Sequence, residues 1–236
     1  MKDISETIEF FTPELGFDVS PYIATDQIQG IHHVGRYQWA TLALAEKQPA
    51  SVLDVACGAG YGSYMLARAS PGSRVCGVDY DERAVAHAKT LYDAPNLTYA
   101  TGDMTTWRSG GAPMPKPDVI VSFDTIEHLS HREIALMRMA DNLTDDGWLI
   151  LSTPCGHDET RLFPDWEHHK IEYSHFDLFA LLSRFFHQVV QQHEAGFPAA
   201  DFWPTRINVG RELYANRMNP VVCKAPIRPP AYRNAP

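Results

Sequence analysis

Two acidic residues and a histidine follow one apolar run at a spacing that could bring their side chains together. The run 118–124 ends at Asp124, and Glu127 and His128 come next. If a helical turn begins at Asp124, positions i, i+3 and i+4 share one face. Two carboxylates so close repel each other unless a proton or a cation lies between them. The pattern therefore predicts a divalent metal site or, without metal, a histidine general base or a purely structural cluster.

An apolar run that delivers an acid to a glycine-rich turn is the second chemical signal. The run 52–55 contains Asp54, and a turn with Gly58 and Gly60 follows it. Glycines let the backbone approach a ligand closely, and a helix N-terminus presents unpaired N–H groups. Asp79 ends the next apolar run, where a carboxylate could bind both hydroxyls of a ribose. Asp103 ends a third run, where it could accept a hydrogen bond from the amino group of an adenine.

The charge at the strand end indicates which kind of cofactor binds. A dinucleotide-binding turn normally reads G-x-G-x-x-G and receives a pyrophosphate at the helix N-terminus. Here the carboxylate of Asp54 is expected to face the turn, where it would attract an ammonium group and repel phosphates. The sequence therefore favours a nucleoside cofactor with an amino group over a nicotinamide dinucleotide.

The elements that must position these residues alternate along the chain. Strand-like runs occupy 51–56, 74–79, 96–103, 117–124, 147–154, 187–192 and 220–225. Helix-like stretches occupy 35–48, 64–69, 81–92, 132–143 and 176–185, whereas 1–34 reads as irregular segments around short helices. This alternation predicts a parallel sheet covered by helices on both faces. We expect an N-terminal cap segment and helix at 1–48, a main domain at 49–225 and an extended tail at 226–236.

Composition and charge limit the remaining functions. With 236 residues, of which 44% are hydrophobic, the chain should form one domain with a sizeable core. The net charge of −9 disfavours a surface that grips long nucleic acid, although it leaves room for a local basic patch. There is no apolar run long enough for a transmembrane helix and no secretory signal pattern, and the four cysteines are widely spaced. We expect a cytoplasmic protein with no membrane partner, and the sequence makes no prediction of its oligomeric state.

At these positions the chain resembles the class I S-adenosylmethionine-dependent methyltransferases, over residues 30–195. Asp54, Gly58 and Gly60 match the family's glycine motif, with Ala56 where many members carry glycine. The resemblance implies S-adenosylmethionine (SAM) as cofactor, Arg36 as the partner of its carboxylate, and a methyltransferase domain at 49–225. It also implies an α/β, Rossmann-like fold with a mostly parallel seven-stranded sheet in the order 3-2-1-4-5-7-6. The expected cofactor-binding residues are Arg36, Asp54, Gly58, Gly60, Asp79, Tyr80, Asp103, Met104 and Phe123.

The segments after the fourth and fifth strands resemble those of the small-RNA terminal 2′-O-methyltransferases. That family carries E-x-x-E-H and then an H-x-F-E-W-[ST]-like segment, and its acids and histidines hold a divalent metal. Here Asp124 replaces the first glutamate, Glu127 and His128 match, and His169 aligns with the later histidine. The E-x-x-E-H part also resembles the ubiquinone-biosynthesis O-methyltransferases. The resemblance implies a metal (Mn, Mg, Co, Fe or Zn) bound by Asp124, Glu127, His128 and His169.

Together these features predict metal-assisted O-methylation of a small-molecule hydroxyl, on a sugar or another natural-product scaffold. A metal would lower the pKa of the hydroxyl, and the predicted catalytic residues are His128, His169 and Asp124. Two alternatives stay open: a metal-independent enzyme with a histidine base, and an RNA 3′-terminal 2′-O-methyltransferase. Aromatic residues that could wall the pocket or belong to ordinary core are Phe10, Phe11, Phe17, Tyr22, Phe197, Phe202 and Trp203.

Overall fold

The alternating pattern forms strands and helices in the computed structural model, which describes residues 10–157, 159–164, 168–191 and 220–228. The helices are α1 (Ser20–Ala24), α2 (Ile28–Lys47), α3 (Tyr61–Ala69), α4 (Glu82–Leu91), α5 (Arg132–Asn142) and α6 (His175–Leu182). The strands are β1 (Ser51–Val55), β2 (Arg74–Asp79), β3 (Leu97–Asp103), β4 (Arg108–Ser109), β5 (Ala112–Pro113), β6 (Val119–Phe123), β7 (Trp148–Ser152), β8 (Cys155–His157), β9 (Arg161–Leu162), β10 (Ile171–Ser174), β11 (Phe186–Gln191) and β12 (Val221–Pro226). A 3-10 turn at Ile126–His128 follows β6.

One large sheet carries the candidate site. Within the described residues it has nine strands in the order β11-β12-β7-β6-β1-β2-β3-β4-β5. Strands β3, β2, β1, β6 and β7 pair in parallel, whereas β12 runs antiparallel to both β7 and β11. The predicted α/β architecture with a mostly parallel sheet is confirmed.

The sheet has nine strands where the sequence predicts seven, so its full strand order differs from the predicted one by the two added strands. β4 and β5 extend the sheet beyond β3 by antiparallel pairing. Gly110 and Gly111 form the turn between them, with φ of 54° and 81° that favour glycine. A separate sheet of β8, β10 and β9 forms in the segment after β7, where the sequence predicts only a polar loop.

Helices cover both faces of the large sheet. Val119 and Val121 of β6 join a core cluster with Trp39 of α2, whereas Ile120 between them joins a cluster with Leu136 of α5. Because alternate strand residues point to opposite faces, α2 and α5 lie on opposite sides of the sheet. Every residue of β6 and β7 is buried, as expected for strands covered on both faces.

Helix α2 is longer than the sequence pattern indicates. It begins at Ile28 rather than at residue 35, so the first two turns were wrongly predicted as irregular. The reason is that the polar residues His32 and His33 interrupt the apolar period there, although His32 is only 8% exposed. Gly30 lets α1 pack against this part of α2, because a Cβ there would lie 1.8 Å from Cδ1 of Tyr22.

The first residues of the predicted tail, 226–228, contact the main part of the fold. Pro226 is the last residue of β12, and Arg228 donates hydrogen bonds to the main-chain carbonyls of Ala140 and Leu143 at the end of α5. The domain limits 1–48 and 49–225 stay predictions. Residues 229–236 lie outside the described residues, as do Phe197, Phe202 and Trp203. In the part of the chain that is described, every helix is too short or too polar to cross a bilayer.

Candidate active site

A cleft of about 560 Å³ opens where the central parallel strands end. Its lining comes from the turn after β1, the end of β2, and the segments that follow β6 and β7. One side of it is formed by α2. Open parallel sheets bind ligands at this edge, outside the carboxyl ends of the strands.

The glycine turn presents its backbone to the cleft. Gly58 and Gly60 have φ of 52° and 86°, and both conformations favour glycine. A Cβ on Gly60 would lie 2.4 Å from Cβ of Ala88, whereas a Cβ on Gly58 would meet nothing within 4 Å. Gly60 therefore permits close packing against α4, and Gly58 keeps space open for a ligand. Ala56 has φ of 59°, which is a strained conformation for a residue with a Cβ.

Asp79 lies against this turn at the end of β2. Its Oδ2 accepts a hydrogen bond from the backbone N–H of Gly58 at 2.9 Å, and its Oδ1 accepts one from the N–H of Asp81 at 2.9 Å. Burial raises the pKa of this carboxyl. The carboxylate is held in place at the cleft, where the sequence predicts a ribose-binding acid.

Asp54 lies beneath the turn rather than on the cleft surface. It is fully buried, and its carboxylate accepts hydrogen bonds from the hydroxyls of Tyr37 at 3.1 Å and Ser63 at 2.6 Å. Burial raises the pKa of Asp54 to about 7. Asp54 thus orients Tyr37, which does line the cleft. The sequence analysis missed Tyr37, although it directly follows the candidate Arg36.

The remaining predicted cofactor residues differ in their placement. Oδ1 of Asp103 accepts hydrogen bonds from the backbone N–H and the hydroxyl of Thr105, both at 2.7 Å. Met104 is buried, and Tyr80 is 80% exposed. Phe123 lines the cleft. Asp103, Met104 and Tyr80 are not among its described lining residues.

Arg36 and Asp124 form an ion pair at the base of the cleft. Arg36 is 1% exposed, and its guanidinium contacts the Asp124 carboxylate. The same side chain donates to the main-chain carbonyl of His32 at 2.9 Å and to the hydroxyl of Ser152 at 3.2 Å. Burial opposes ionisation of Asp124, but the charge of Arg36 outweighs it and holds the pKa of Asp124 below its ordinary value.

The structure brings together three of the four predicted metal ligands. Glu127, His128 and His169 each offer a ligand atom within 4.8 Å of the others. Asp124 lies outside this group, because its φ is 47° and the 3-10 turn begins only at Ile126. The predicted helical face from Asp124 to His128 is therefore wrong, and Asp124 pairs with Arg36 instead.

Glu127 is a buried acid with one unsatisfied oxygen. Its Oε2 accepts a hydrogen bond from the hydroxyl of Thr153 at 2.8 Å. Its Oε1 has no hydrogen-bond partner among the described residues and lies 3.8 Å from Nε2 of His128. Burial raises the pKa of Glu127 well above its ordinary value, and the charge of Asp124 adds to this rise. A buried oxygen of this kind can take up a proton or a cation.

The segment before β10, which contains His169, is held against the 3-10 turn that contains His128. Lys170 donates from its backbone N–H to the carbonyl of Glu127 at 2.8 Å and from its ammonium to the carbonyl of His128 at 2.7 Å. Nδ1 of His169 lies 2.9 Å from Oε1 of Glu172. Glu172 has no predicted role of its own, although it stands where the H-x-F-E-W segment of the small-RNA methyltransferases has its glutamate.

Aromatic rings wall the side of the cleft next to α2. Phe11 stacks on His33 with ring centroids 4.7 Å apart. Tyr61 contacts both Phe11 and Tyr37, with centroid distances of 5.6 and 5.4 Å. Phe10 and Phe11 therefore line the cleft as predicted. The predicted aromatic residues that lie outside the described cleft wall are Phe17 and Tyr22.

Comparison with known proteins places the chain in a family. Residues 32–197 match the family described as a methyltransferase domain. The chain belongs to this family. A probable S-adenosylmethionine-dependent methyltransferase of Mycobacterium tuberculosis is 36% identical over 107 residues, which cover 44% of this chain and 35% of the relative. The malonyl-[acyl-carrier protein] O-methyltransferase of Bacillus cereus is 30% identical over 102 residues, 43% of this chain and 36% of the relative.

The chain thus matches little more than a third of the length of these curated relatives. A solved structure with the same fold is human N-acetylserotonin methyltransferase in complex with SAM. It has a TM-score of 0.59 and 13% identity, and the match covers 87% of this chain and 55% of that one. The Rossmann-like methyltransferase fold is therefore confirmed. The resemblance to the small-RNA and ubiquinone-biosynthesis enzymes stays a prediction.

Proposed function

We propose that this methyltransferase domain binds SAM and transfers the methyl group to a hydroxyl oxygen of a small molecule. One observation carries the proposal: a single cleft joins the glycine turn and Asp79 to the group of Glu127, His128 and His169. The first part suits a nucleoside cofactor, and the second suits a nucleophile that must lose a proton. An oxygen acceptor agrees with the name of the B. cereus relative, an O-methyltransferase.

The residues at the cofactor end fit SAM. The Asp79 carboxylate can accept hydrogen bonds from both ribose hydroxyls, and the space beside Gly58 admits a ligand against the backbone. SAM is a strong electrophile, so the protein must mainly align the acceptor in line with the methyl group and exclude water. Tyr37, Tyr61 and Phe123 supply apolar surface for that purpose.

The acid–histidine group fits a divalent cation. Glu127 supplies a buried oxygen that lacks a partner among the described residues, and His128 and His169 supply imidazole nitrogens. One carboxylate and two imidazoles suit zinc, iron, cobalt or manganese better than magnesium. A bound cation would orient an acceptor hydroxyl and lower its pKa. Glu172 would hold the His169 ring by accepting a hydrogen bond from its Nδ1–H, as carboxylates do for metal-ligating histidines.

The same side chains could also manage the proton without a cation. The raised pKa of Glu127 favours its neutral form, and Glu172 holds the His169 ring through Nδ1. His169, or His128 beside it, then takes the acceptor proton as a general base. The two routes make opposite predictions for chelation, because only the first one loses turnover.

The charges of the cleft favour a neutral acceptor. Asp79, Asp124 and Glu172 line it, and Arg36, the one lysine or arginine among the described lining residues, is already paired with Asp124. An anionic acceptor would therefore be repelled, which argues against an RNA 3′ end and against a free carboxylate. A sugar diol or a catechol avoids this repulsion and offers two adjacent oxygens.

Calorimetry and a turnover assay test the proposal. The chain should bind S-adenosylhomocysteine, the demethylated cofactor, and Asp79→Ala should weaken this binding by roughly tenfold or more because the ribose loses a charged acceptor. Transfer to a panel of sugars, diols and catechols should then be measured with and without EDTA. Loss of transfer that Mn²⁺ or Zn²⁺ restores supports the metal route, and unchanged transfer supports the histidine base. A chain that does not bind S-adenosylhomocysteine refutes the proposal.

A further inference from the structure

His33 is a third histidine in the cleft wall, three residues before Arg36 on α2. Its ring stacks on Phe11, with the planes 18° from parallel. Its Nδ1 lies 3.2 Å from Nη2 of Arg36. His33 belongs neither to the predicted cofactor residues nor to the acid–histidine group.

The contact with Arg36 decides which ring nitrogen of His33 carries the proton. A guanidinium has N–H donors and no acceptor, so Nδ1 of His33 must be the acceptor and is unprotonated. Burial lowers the pKa of His33 to about 4, and the charge of Arg36 contributes, so the ring is neutral near pH 7. A neutral imidazole with a bare Nδ1 carries its proton on Nε2. His33 is therefore a hydrogen-bond donor and not a base.

Arg36 itself is committed to contacts within the protein. It is 1% exposed, and its donors reach the carbonyl of His32, the hydroxyl of Ser152, the carboxylate of Asp124 and Nδ1 of His33. Nε2 of His33, in contrast, has no hydrogen-bond partner among the described residues, and the side chain lines the cleft. On this side of the cleft, His33 can therefore offer its Nε2–H to a ligand.

We propose that Nε2–H of His33 binds the carboxylate of the cofactor's amino-acid moiety, with Arg36 as the positioning residue that orients the ring. This inference rests on the proposed function. With the ribose on Asp79, the cofactor must place its one carboxylate elsewhere in the same cleft. The carboxylates of Asp124 and Glu172 line the side formed by the segment after β6 and by β10, and they repel a further anion. The corner formed by His33 and Arg36 instead offers the Nε2–H donor beside a guanidinium.

Calorimetry with two ligands tests this assignment. S-adenosylhomocysteine has the carboxylate, whereas 5′-methylthioadenosine has the nucleoside and the sulfur without it. His33→Phe keeps a ring to stack on Phe11 but lacks the Nε2–H donor. It should weaken S-adenosylhomocysteine binding by roughly ten- to a hundredfold, the value of a hydrogen bond to a charged group, and leave 5′-methylthioadenosine binding within about twofold. His33→Gln, whose amide nitrogen can occupy the place of Nε2, should retain more affinity than His33→Asn.

His131 provides the matched control, because it is an exposed histidine outside the cleft wall, and His131→Phe should change neither affinity. Equal weakening of both ligands by His33→Phe would overturn the assignment, since His33 would then act through the shape of the cleft. Unchanged binding of both ligands would overturn it as well. A wild-type chain that binds neither ligand refutes the proposed function and this inference together. NMR of the ring nitrogens in the ligand-free protein reports the tautomer, and a proton on Nδ1 of His33 would contradict the donor assignment.

Discussion

Replacing Arg36 by methionine should destabilise the fold by about 3 kcal/mol, the lower end of the cost of breaking a buried ion pair. Arg36 is 1% exposed, and its loss leaves the carboxylate of Asp124 without its cation. The Ser152 hydroxyl and the His32 carbonyl lose the same donor. The lower end applies because the Asp124 side chain is 21% exposed, so water compensates part of its charge. For a chain of this size the melting temperature should fall by about 6–12 °C.

A double-mutant cycle separates charge from packing. Asp124→Asn alone leaves the guanidinium of Arg36 unpaired, whereas the double variant removes both charges. We therefore expect the double variant to be less destabilised than the sum of the singles, by roughly 2–3 kcal/mol. Urea unfolding at pH 7, followed by circular dichroism, measures all four proteins. Lys47→Met is the matched control, because Lys47 pairs with Asp146, which is 83% exposed, and a surface pair is worth at most about 1 kcal/mol.

Two results would show that Arg36 and Asp124 do not form a stabilising buried ion pair. One is that the losses of unfolding free energy in the two single variants add up to the loss in the double variant, and the other is a loss below about 1 kcal/mol for Arg36→Met. The pH dependence is a second check. In the wild type the pKa of Asp124 is lowered, so its contribution is complete above the ordinary value of 3.8 and is lost as the pH falls through the lower folded value. Without Arg36, burial raises the pKa of Asp124 instead. The difference in unfolding free energy between the wild type and Arg36→Met should therefore become smaller as the pH falls from about 7 towards 5.

Ala56→Gly should raise the free energy of unfolding, measured in urea, by up to about 1 kcal/mol, because glycine adopts the φ of 59° without strain. A lower free energy of unfolding would mean that the packing of the Ala56 Cβ outweighs the strain. Relative to the wild type, Asp54→Asn should gain stability as the pH rises from about 4 to about 8, by at most about 4 kcal/mol. The folded pKa of about 7 exceeds the ordinary 3.8, so the wild type loses stability as the pH rises through this window, and parallel pH profiles would contradict the assignment. Mn²⁺ or Zn²⁺ should raise the melting temperature of the wild type but not of Glu127→Gln, and equal shifts would exclude Glu127 as a ligand.

The central strands could be predicted because their sequences are continuous apolar runs. β6 and β7 are buried on both faces, which demands such runs and leaves little ambiguity. β4 and β5 could not be predicted, because strands of two residues contain no period. Their signal was the Gly110–Gly111 pair, which permits the tight turn between them.

The cofactor turn was predictable for a similar local reason. Gly58 and Gly60 adopt φ values that favour glycine, and Asp79 ends a strand that the sequence shows plainly. Asp124 was not predictable, because its orientation depends on a partner 88 positions earlier in the chain, Arg36. A spacing rule for helices assumes that the helix begins at the strand end, and the φ of 47° at Asp124 breaks that assumption.

Helix α2 shows why the least regular part of the sequence carries so much of the site. His32, Arg36 and Tyr37 interrupt the apolar period of this helix, yet all three are buried. A buried polar side chain is stable only when it is paired, so each interruption implies a partner elsewhere in the fold. The partners of Arg36 and Tyr37 are Asp124 and Asp54, which lie at the ends of two central strands, β6 and β1. The buried polar positions of α2 are thus the physical consequence of its role in aligning the cleft.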